Sequence, residues 1–543
     1  MFADTVLINA RIYTMDEEMP EVEALVIRGE KIVYAGTTNQ AREMAGDNTD
    51  VIDLRGKVVL PGFIDTHNHM YLNGMEFMRS PISEAESIND VLEIIHQTAR
   101  DTEPGKWIIS QMNCRLSRLK EKRYPAKNEL DKAAPHNPVF LPFGMYVAVV
   151  NTLAVKKAGI NEKELALELG KAGSDAETGE FNGLLPNRVA RMYVEKFLPN
   201  VSDAERITAV KTAMANYNAA GITGVTEPGL TVSDIRIYQQ LWSKNELTVR
   251  SNLMFGPDFE KVMVADSTLT TEEVLDRMKM FGVSTGFGDS FMRISGIKLI
   301  VDGGFNAGLR YTPYPGSEDY FGVQYTSTER IKAVIELASE TGWQLGIHTV
   351  GDKAIDITTE LIQEYKEKKF NINRPILFHC FMPSEQALSR MQEFGILAGL
   401  HPQLWYTGGG EIKMFCPDIA EKTLPLRECF DRGLTVPGGS DSPIGPYQPL
   451  HGIWTAVTRN IRGYGALGKE QAISVKEAVK MYTSHAAYAT FEENIKGTLK
   501  PGMLADLVVL DKDIFSIPPE EIKDVDVIRT MVGGKTVYQK STQ

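Results

Sequence analysis

Residues Lys57–His69, KVVLPGFIDTHNH, decide how the rest of the chain is read. The stretch opens as an apolar, β-branched run, which is the pattern of a buried strand. Pro61 and Gly62 interrupt it, and it closes on His67-Asn68-His69. Side chains at i and i+2 of a strand point to the same side. Two imidazoles on one face, at the C-terminal end of a buried strand, can therefore grip a single cation. An isolated His-x-His is more often a pair of exposed loop histidines. Here the buried run before it and Asp65 beside it favour a metal site.

Working outward, residues 4–60 alternate like short antiparallel strands: TVLINARIYTM, EALVIRGEKIVYAG and VIDLRG, with turn signals at Gly29 and Gly36. The far end has the same texture, with LADLVVLDKD and VIRTMVGGKTVYQ after the turn-like KPGM at 500–503. Unpaired edge strands are a liability. The expectation is one small β-sandwich domain formed by both chain ends, 1–60 and 490–543; two unrelated hairpins are the alternative.

Between them, residues 61–489 repeat strand and helix. Candidate strands are FIDTHNH, ITGVTEP (222–228), LTVRSNLMF (247–255) and ISGIKLIVD (294–302). They continue with WQLGIHTVG (343–351), PILFHCF (375–381), GILAGLHPQ (395–403) and LTVPGGSDS (434–442). Amphipathic segments such as 327–342 and 384–395 separate them. The expected class is α/β, a closed (β/α)₈ TIM barrel. A ninth apolar run, PVFLPF (138–143), is surplus and lies in a long insertion at about 72–210. That insertion carries helical segments at 86–101 and 201–220 and is a candidate lid over the barrel mouth.

Barrel chemistry sits at the C-terminal ends of the strands. Read in order, those ends offer His67 and His69, Lys298, His348, His379 and Asp441. Four of the nine histidines thus fall on one face with an aspartate, which scattered structural histidines do not explain. His96, His136, His401, His451 and His485 stand outside the set and read as structural. Cys380 adjoins His379, but neighbours on a strand face opposite ways.

A length of 543 residues exceeds one ordinary core, and 43% hydrophobic with 24% charged residues is a soluble globular composition. The net charge of −13 argues against nucleic acid or anionic membrane as a main partner. The N-terminus has no basic n-region with a long apolar core, so no signal peptide is expected. No run of about 18 apolar residues is present to span a membrane. Four widely spaced cysteines, Cys114, Cys380, Cys416 and Cys429, read as reduced thiols of a cytoplasmic protein. The expected partner is a small-molecule substrate, with a homodimer as a candidate assembly.

The motifs PGFIDTHNH, GIKLIVDGG, IHTVGD, LFHC and GGSDSP together resemble the amidohydrolase superfamily, in the branch containing N-substituted formamide deformylases. The resemblance runs over nearly the whole chain, including the late KPGMLADLVVLD. It implies that His67, His69, His348 and His379 bind metal, normally zinc, as one or two ions. It also implies that Lys298 stands where a carboxylated lysine often bridges two metals, and that Asp441 is both ligand and proton carrier. Two positions depart from the pattern: Tyr146 stands where a His is expected in MYVAVVN, and Asn187 where relatives often carry Glu.

The implied chemistry is hydrolysis of a non-peptide C–N bond, an amide or formamide, through a metal-activated hydroxide. Neutral imidazoles suit Zn²⁺ at about 2.0–2.1 Å, and a bound metal can lower the pKa of its water to about 7. Asp441 would take that water's proton and return it to the leaving amine; an Asx-turn in GSDSP is its plain alternative. Lys298 would otherwise pair with Asp302 or Asp441. Tyr146, Asp302 and Trp405 are candidate substrate contacts, with Met70, Tyr71, Phe305 and Tyr406 as further apolar walls, and core packing as the alternative for the apolar ones. GGGEIKMF (408–415) is expected to be a mobile loop. The competing functional readings are hydrolysis of a cyclic amide, urea or carbamate, and a non-catalytic metal-binding relative.

Overall fold

The computed structural model describes residues 2–144, 147–170, 173–175, 178–186, 188–258 and 269–541. In it the organising stretch serves two sheets. Val58–Pro61 is a fully buried strand of one sheet, and Phe63–Asp65 (β1) begins another. Gly62 makes the crossing, where a β-carbon would overlap the Thr223 side chain.

β1 is followed around a parallel sheet by Ile222–Leu230 (β2), Arg250–Phe255 (β3), Met292–Ile300 (β4), Leu345–Thr349 (β5), Ile376–His379 (β6) and Leu397–Gly399 (β7). Residues 435–441 close the ring. Ala398 N donates to Thr435 O and Leu400 N to Pro437 O, while Thr66 N donates to Gly438 O and Asp441 N to His67 O. Each strand lies within or beside an apolar run of the sequence. Buried strands flanked by helices make such a parallel sheet possible.

The helices form for local reasons. In Thr328–Thr341, Ser327 caps the start by accepting from Arg330 N, and Gly342 ends it in the left-handed region at φ 76°. Ile331, Val334, Ile335 and Ala338 recur at helical spacing and are all buried. The segment 408–415 corrects an expectation: it is not a loop but part of helix Pro402–Phe415. Its glycines are there for close approach, since a β-carbon on Gly408 would overlap the Phe305 ring and one on Gly409 would lie 2.5 Å from Ile461 Cγ2.

Strands from both chain ends share one six-stranded sheet, in the order Lys535–Gln539, Val527–Val532, Leu507–Leu510, Val58–Pro61, Arg11–Tyr13, Glu21–Val22. A four-stranded sheet runs Lys31–Gly36, Ala24–Arg28, Thr5–Ile8, Asp50–Asp53. One buried cluster draws Leu7, Leu25 and Ile27 from the smaller sheet and Ile12, Val59, Leu507, Val509 and Met531 from the larger. Arg250 of β3 reaches Asp506 in a buried two-point ion pair, 2.7 and 3.0 Å. Removing one partner of such a pair costs about 3–5 kcal/mol, because the other charge is left buried.

Tyr71–Ala213 is a compact unit of its own, separate from the unit made by Met1–Met70 with Met214–Gln543. Its sheet runs Leu184–Leu185, Val147–Val150, Val139–Phe143, Ile108–Ile109, so the surplus apolar run is a strand of this unit. Among the described residues no helix is long and apolar enough to cross a membrane. All four cysteines are free thiols and buried.

Candidate metal centre

β1 ends in a buried carboxylate that sets the course of the chain beyond it. Asp65 accepts from His67 N at 3.2 Å, Asn68 Nδ2 at 2.8 Å, and Ser440 N and Oγ at 3.0 and 2.6 Å. Tyr217 in turn donates its hydroxyl to Asn68 Oδ1 at 2.5 Å. Burial pushes the Asp65 carboxyl up to about 6, against the pull of its Ser440 and Asn68 hydrogen bonds. These bonds turn the chain so that the histidines after β1 face Asp441.

His67 Nε2 lies 3.2 Å and His69 Nε2 3.3 Å from Asp441 Oδ1. Asp441 holds a left-handed backbone at φ 54°, a region Asp tolerates better than most residues. Burial opposes its charge, but the hydrogen bond from His69 and the surrounding imidazoles hold it well below the usual carboxylate range. His379, at the end of β6 with φ 72°, stacks edge-on with His67 at 4.9 Å and with His348 at 4.3 Å between centroids. Burial drives His67 and His379 well below the ordinary imidazole value, and burial with the nearby Lys298 takes His348 to about 3. These rings are therefore neutral at pH 7 and carry free lone pairs. Lys298, on β4, is 2% exposed. Burial pulls its amine down to about 7 while Asp441 pulls it up. Its Nζ sits 4.4 Å over the Phe378 ring and has no hydrogen-bond partner.

The donor set fits a divalent cation. His67 Nδ1, His379 Nδ1, Lys298 Nζ and both ring nitrogens of His401 are buried and unpaired. Such groups are rare unless something satisfies them. Ligand atoms of His67, His69 and Asp441 lie within 4.8 Å of one another, as do those of His67, His379 and His401. Neutral imidazoles with a carboxylate are the ligand class that zinc takes. His401 belongs to no motif in the sequence. Its signal is position, because it stands two residues past the end of β7 as His67 stands two past the end of β1.

Two expected substrate contacts engage other groups of the protein. Asp302 has no exposure, and its oxygens accept from Leu309 N at 2.9 Å, Val350 N at 2.9 Å and Gly351 N at 2.8 Å. It pins the loops after β4 and β5, 3.8 Å from His348 Nε2, and burial raises its carboxyl to about 7. Trp405 is also fully buried, donating Nε1–H to Thr423 Oγ1 at 3.0 Å under the Arg459 guanidinium at 4.1 Å. An aromatic ring with an apolar helix face around it found the core instead of the mouth. Tyr146 and Asn187 lie outside the described residues.

Residues 50–538 match the amidohydrolase family, covering the barrel and the strands that flank it. The chain belongs to that family. This amidohydrolase is 27% identical over 550 residues to an N-substituted formamide deformylase of Arthrobacter pascens, covering 99% of each chain. It is 25% identical over 565 residues to the protein LONG AFTER FAR-RED 3 of Arabidopsis thaliana, covering 99% of this chain and 92% of that one. Its fold is shared with the crystal structure of an uncharacterized metal-dependent hydrolase from Pyrococcus horikoshii, at TM-score 0.75 and 22% identity, covering 95% and 99% of the two chains. All three likenesses run over nearly the whole of this chain.

Proposed function

We propose that this amidohydrolase cleaves a carbon–nitrogen bond other than a peptide bond, in an amide or formamide, with zinc as its metal. The observation that carries the reading is Asp441. It is an ionised carboxylate in contact with two histidines, inside a site whose other imidazoles are neutral. When bound, a divalent cation supplies Lewis acidity, lowering the pKa of a water and polarising the scissile carbonyl. His67, His69, His348 and His379 would hold it through ring nitrogens. Asp441 accepts a proton at a carboxylate oxygen and returns it to the departing nitrogen, which cannot leave as an anion. Lys298, with its amine brought down to about 7 by burial, is available as the free base; addition of CO₂ to its nitrogen with release of a proton would give a carbamate. That carbamate would add an anionic ligand for a second metal ion.

The 27% identity to a formamide deformylase supports the substrate class without naming the substrate. The test is a panel of N-formyl amines, N-acyl amines, cyclic amides and ureas, offered to Zn²⁺-loaded protein with and without a chelator. The expected result is amine release from the N-formyl or N-acyl arm that stops on chelation and returns with Zn²⁺. Turnover confined to the cyclic arm would move the substrate class. Folded, metal-loaded protein inactive on every arm would overturn the enzymatic reading.

A further inference from the structure

His401 is buried with no exposure, and neither of its ring nitrogens makes a hydrogen bond. The Gly439 backbone lies beside the ring, without hydrogen-bond geometry. A buried polar nitrogen with no partner needs an explanation, and an unplaced ion is one of the few available. The ring does not sit apart from the centre. Its centroid lies 4.6 Å from that of His67 and 4.7 Å from that of His379, and one ligand atom from each of the three falls within a 4.8 Å set.

The backbone holds the ring there. His401 is the N-cap residue of helix Pro402–Phe415, with Pro402 in the first turn, and its carbonyl accepts from Trp405 N at 3.0 Å. The helix itself is seated against Phe305 and Ile461 through Gly408 and Gly409. The imidazole is thus delivered by a rigid element, as a preorganised ligand must be.

We propose that His401 is a metal ligand, contributed by the seventh strand in addition to the residues used in the proposed function. The inference rests on that metal-dependent function. On this arrangement His67 is shared by two ligand groups, one closed by His69 and Asp441 and the other by His379 and His401.

The direct test is an anomalous-scattering crystal structure of the Zn²⁺-loaded wild-type protein, recorded at the zinc edge. A His401 ring nitrogen at about 2.0–2.1 Å from a zinc peak is expected; a ring nitrogen more than about 3 Å from every peak overturns the proposal. Solution measurements separate this idea from the reading beneath it. His401→Gln keeps a polar side chain of similar reach but offers a poor zinc ligand. It should weaken zinc retention in competition with a chelator by more than the roughly 10–100-fold typical of residues that merely support a ligand. It should also alter the visible absorption of the Co²⁺-substituted protein. Unchanged retention and spectrum in His401→Gln, with metal lost in His67→Ala, would refute His401 alone. A wild-type protein that binds no zinc would refute both readings together.

Discussion

Where β1 meets residues 435–441, polar side chains hold one another. Asp65 accepts from His67 N, Asn68 and Ser440, Tyr217 fixes Asn68, and Asp441 contacts both histidines of the His67-Asn68-His69 triplet. Across the centre, where β4, β6 and β7 end, Lys298 Nζ, His379 Nδ1 and both nitrogens of His401 have no partner. His67 belongs to both sides, since its Nε2 meets Asp441 and its Nδ1 is unpaired. The difference teaches that one side is held in shape by hydrogen bonds between protein groups, while on the other these nitrogens make none.

The hardest blow to this contrast is His67→Ala with His69→Ala. Metal and turnover should both be lost while circular dichroism reports a folded protein. A folded double variant with its full metal content would show that the unpaired side holds metal without the wired one. Next, Asp441→Asn keeps the shape but cannot carry a proton, and turnover should fall by about 10²–10⁴-fold. Near wild-type turnover on a confirmed substrate would take Asp441 out of the chemistry.

Lys298→Met tests the unpaired side through pH. In the metal-free protein the folded amine titrates at about 7, against the ordinary value of 10.5. Between those values the unfolded chain binds more protons than the folded one, so stability rises with pH. Wild type should gain stability from pH 7 to 10 relative to Lys298→Met, by at most roughly 4 kcal/mol at about 1.4 kcal/mol per pH unit. Parallel melting curves across that range would mean the amine is not desolvated. The smallest effect belongs to Asp65→Asn, which should loosen metal binding by about 10–100-fold, the usual cost of disturbing a residue that orients a ligand. Unaltered affinity would show that the wired side has no need of its wiring.

The barrel was legible because its strands stand out as apolar runs separated by amphipathic helices. His67, His69, His379 and Asp441 stand at or just beyond strand ends and lie together, while Lys298 and His348 stand one or two residues before their strand ends, over Phe378 and beside His379. His401 was hidden because a single histidine in GLHPQ has no spacing to mark it; only strand register reveals it. Asp65 read as a neighbour of the triplet, since nothing local says that Ser440, 375 residues away, completes its hydrogen bonds. The glycines at 408–410 were misread as loop because residue type reports local preference, and these positions are decided by what packs against them.

Gly408 carries a lesson about tolerance. By helix preference alone, alanine there is better by about 1 kcal/mol. Yet the added methyl would occupy the space of the Phe305 ring, and the helix would have to back away to make room. His401 begins that helix, two turns upstream, so the retreat would be transmitted along a stiff rod to the His401 ring and its neighbours His67 and His379. A residue with no side chain and no chemistry is thereby as constrained as a ligand, and any effort to stiffen this molecule by replacing its glycines should begin elsewhere.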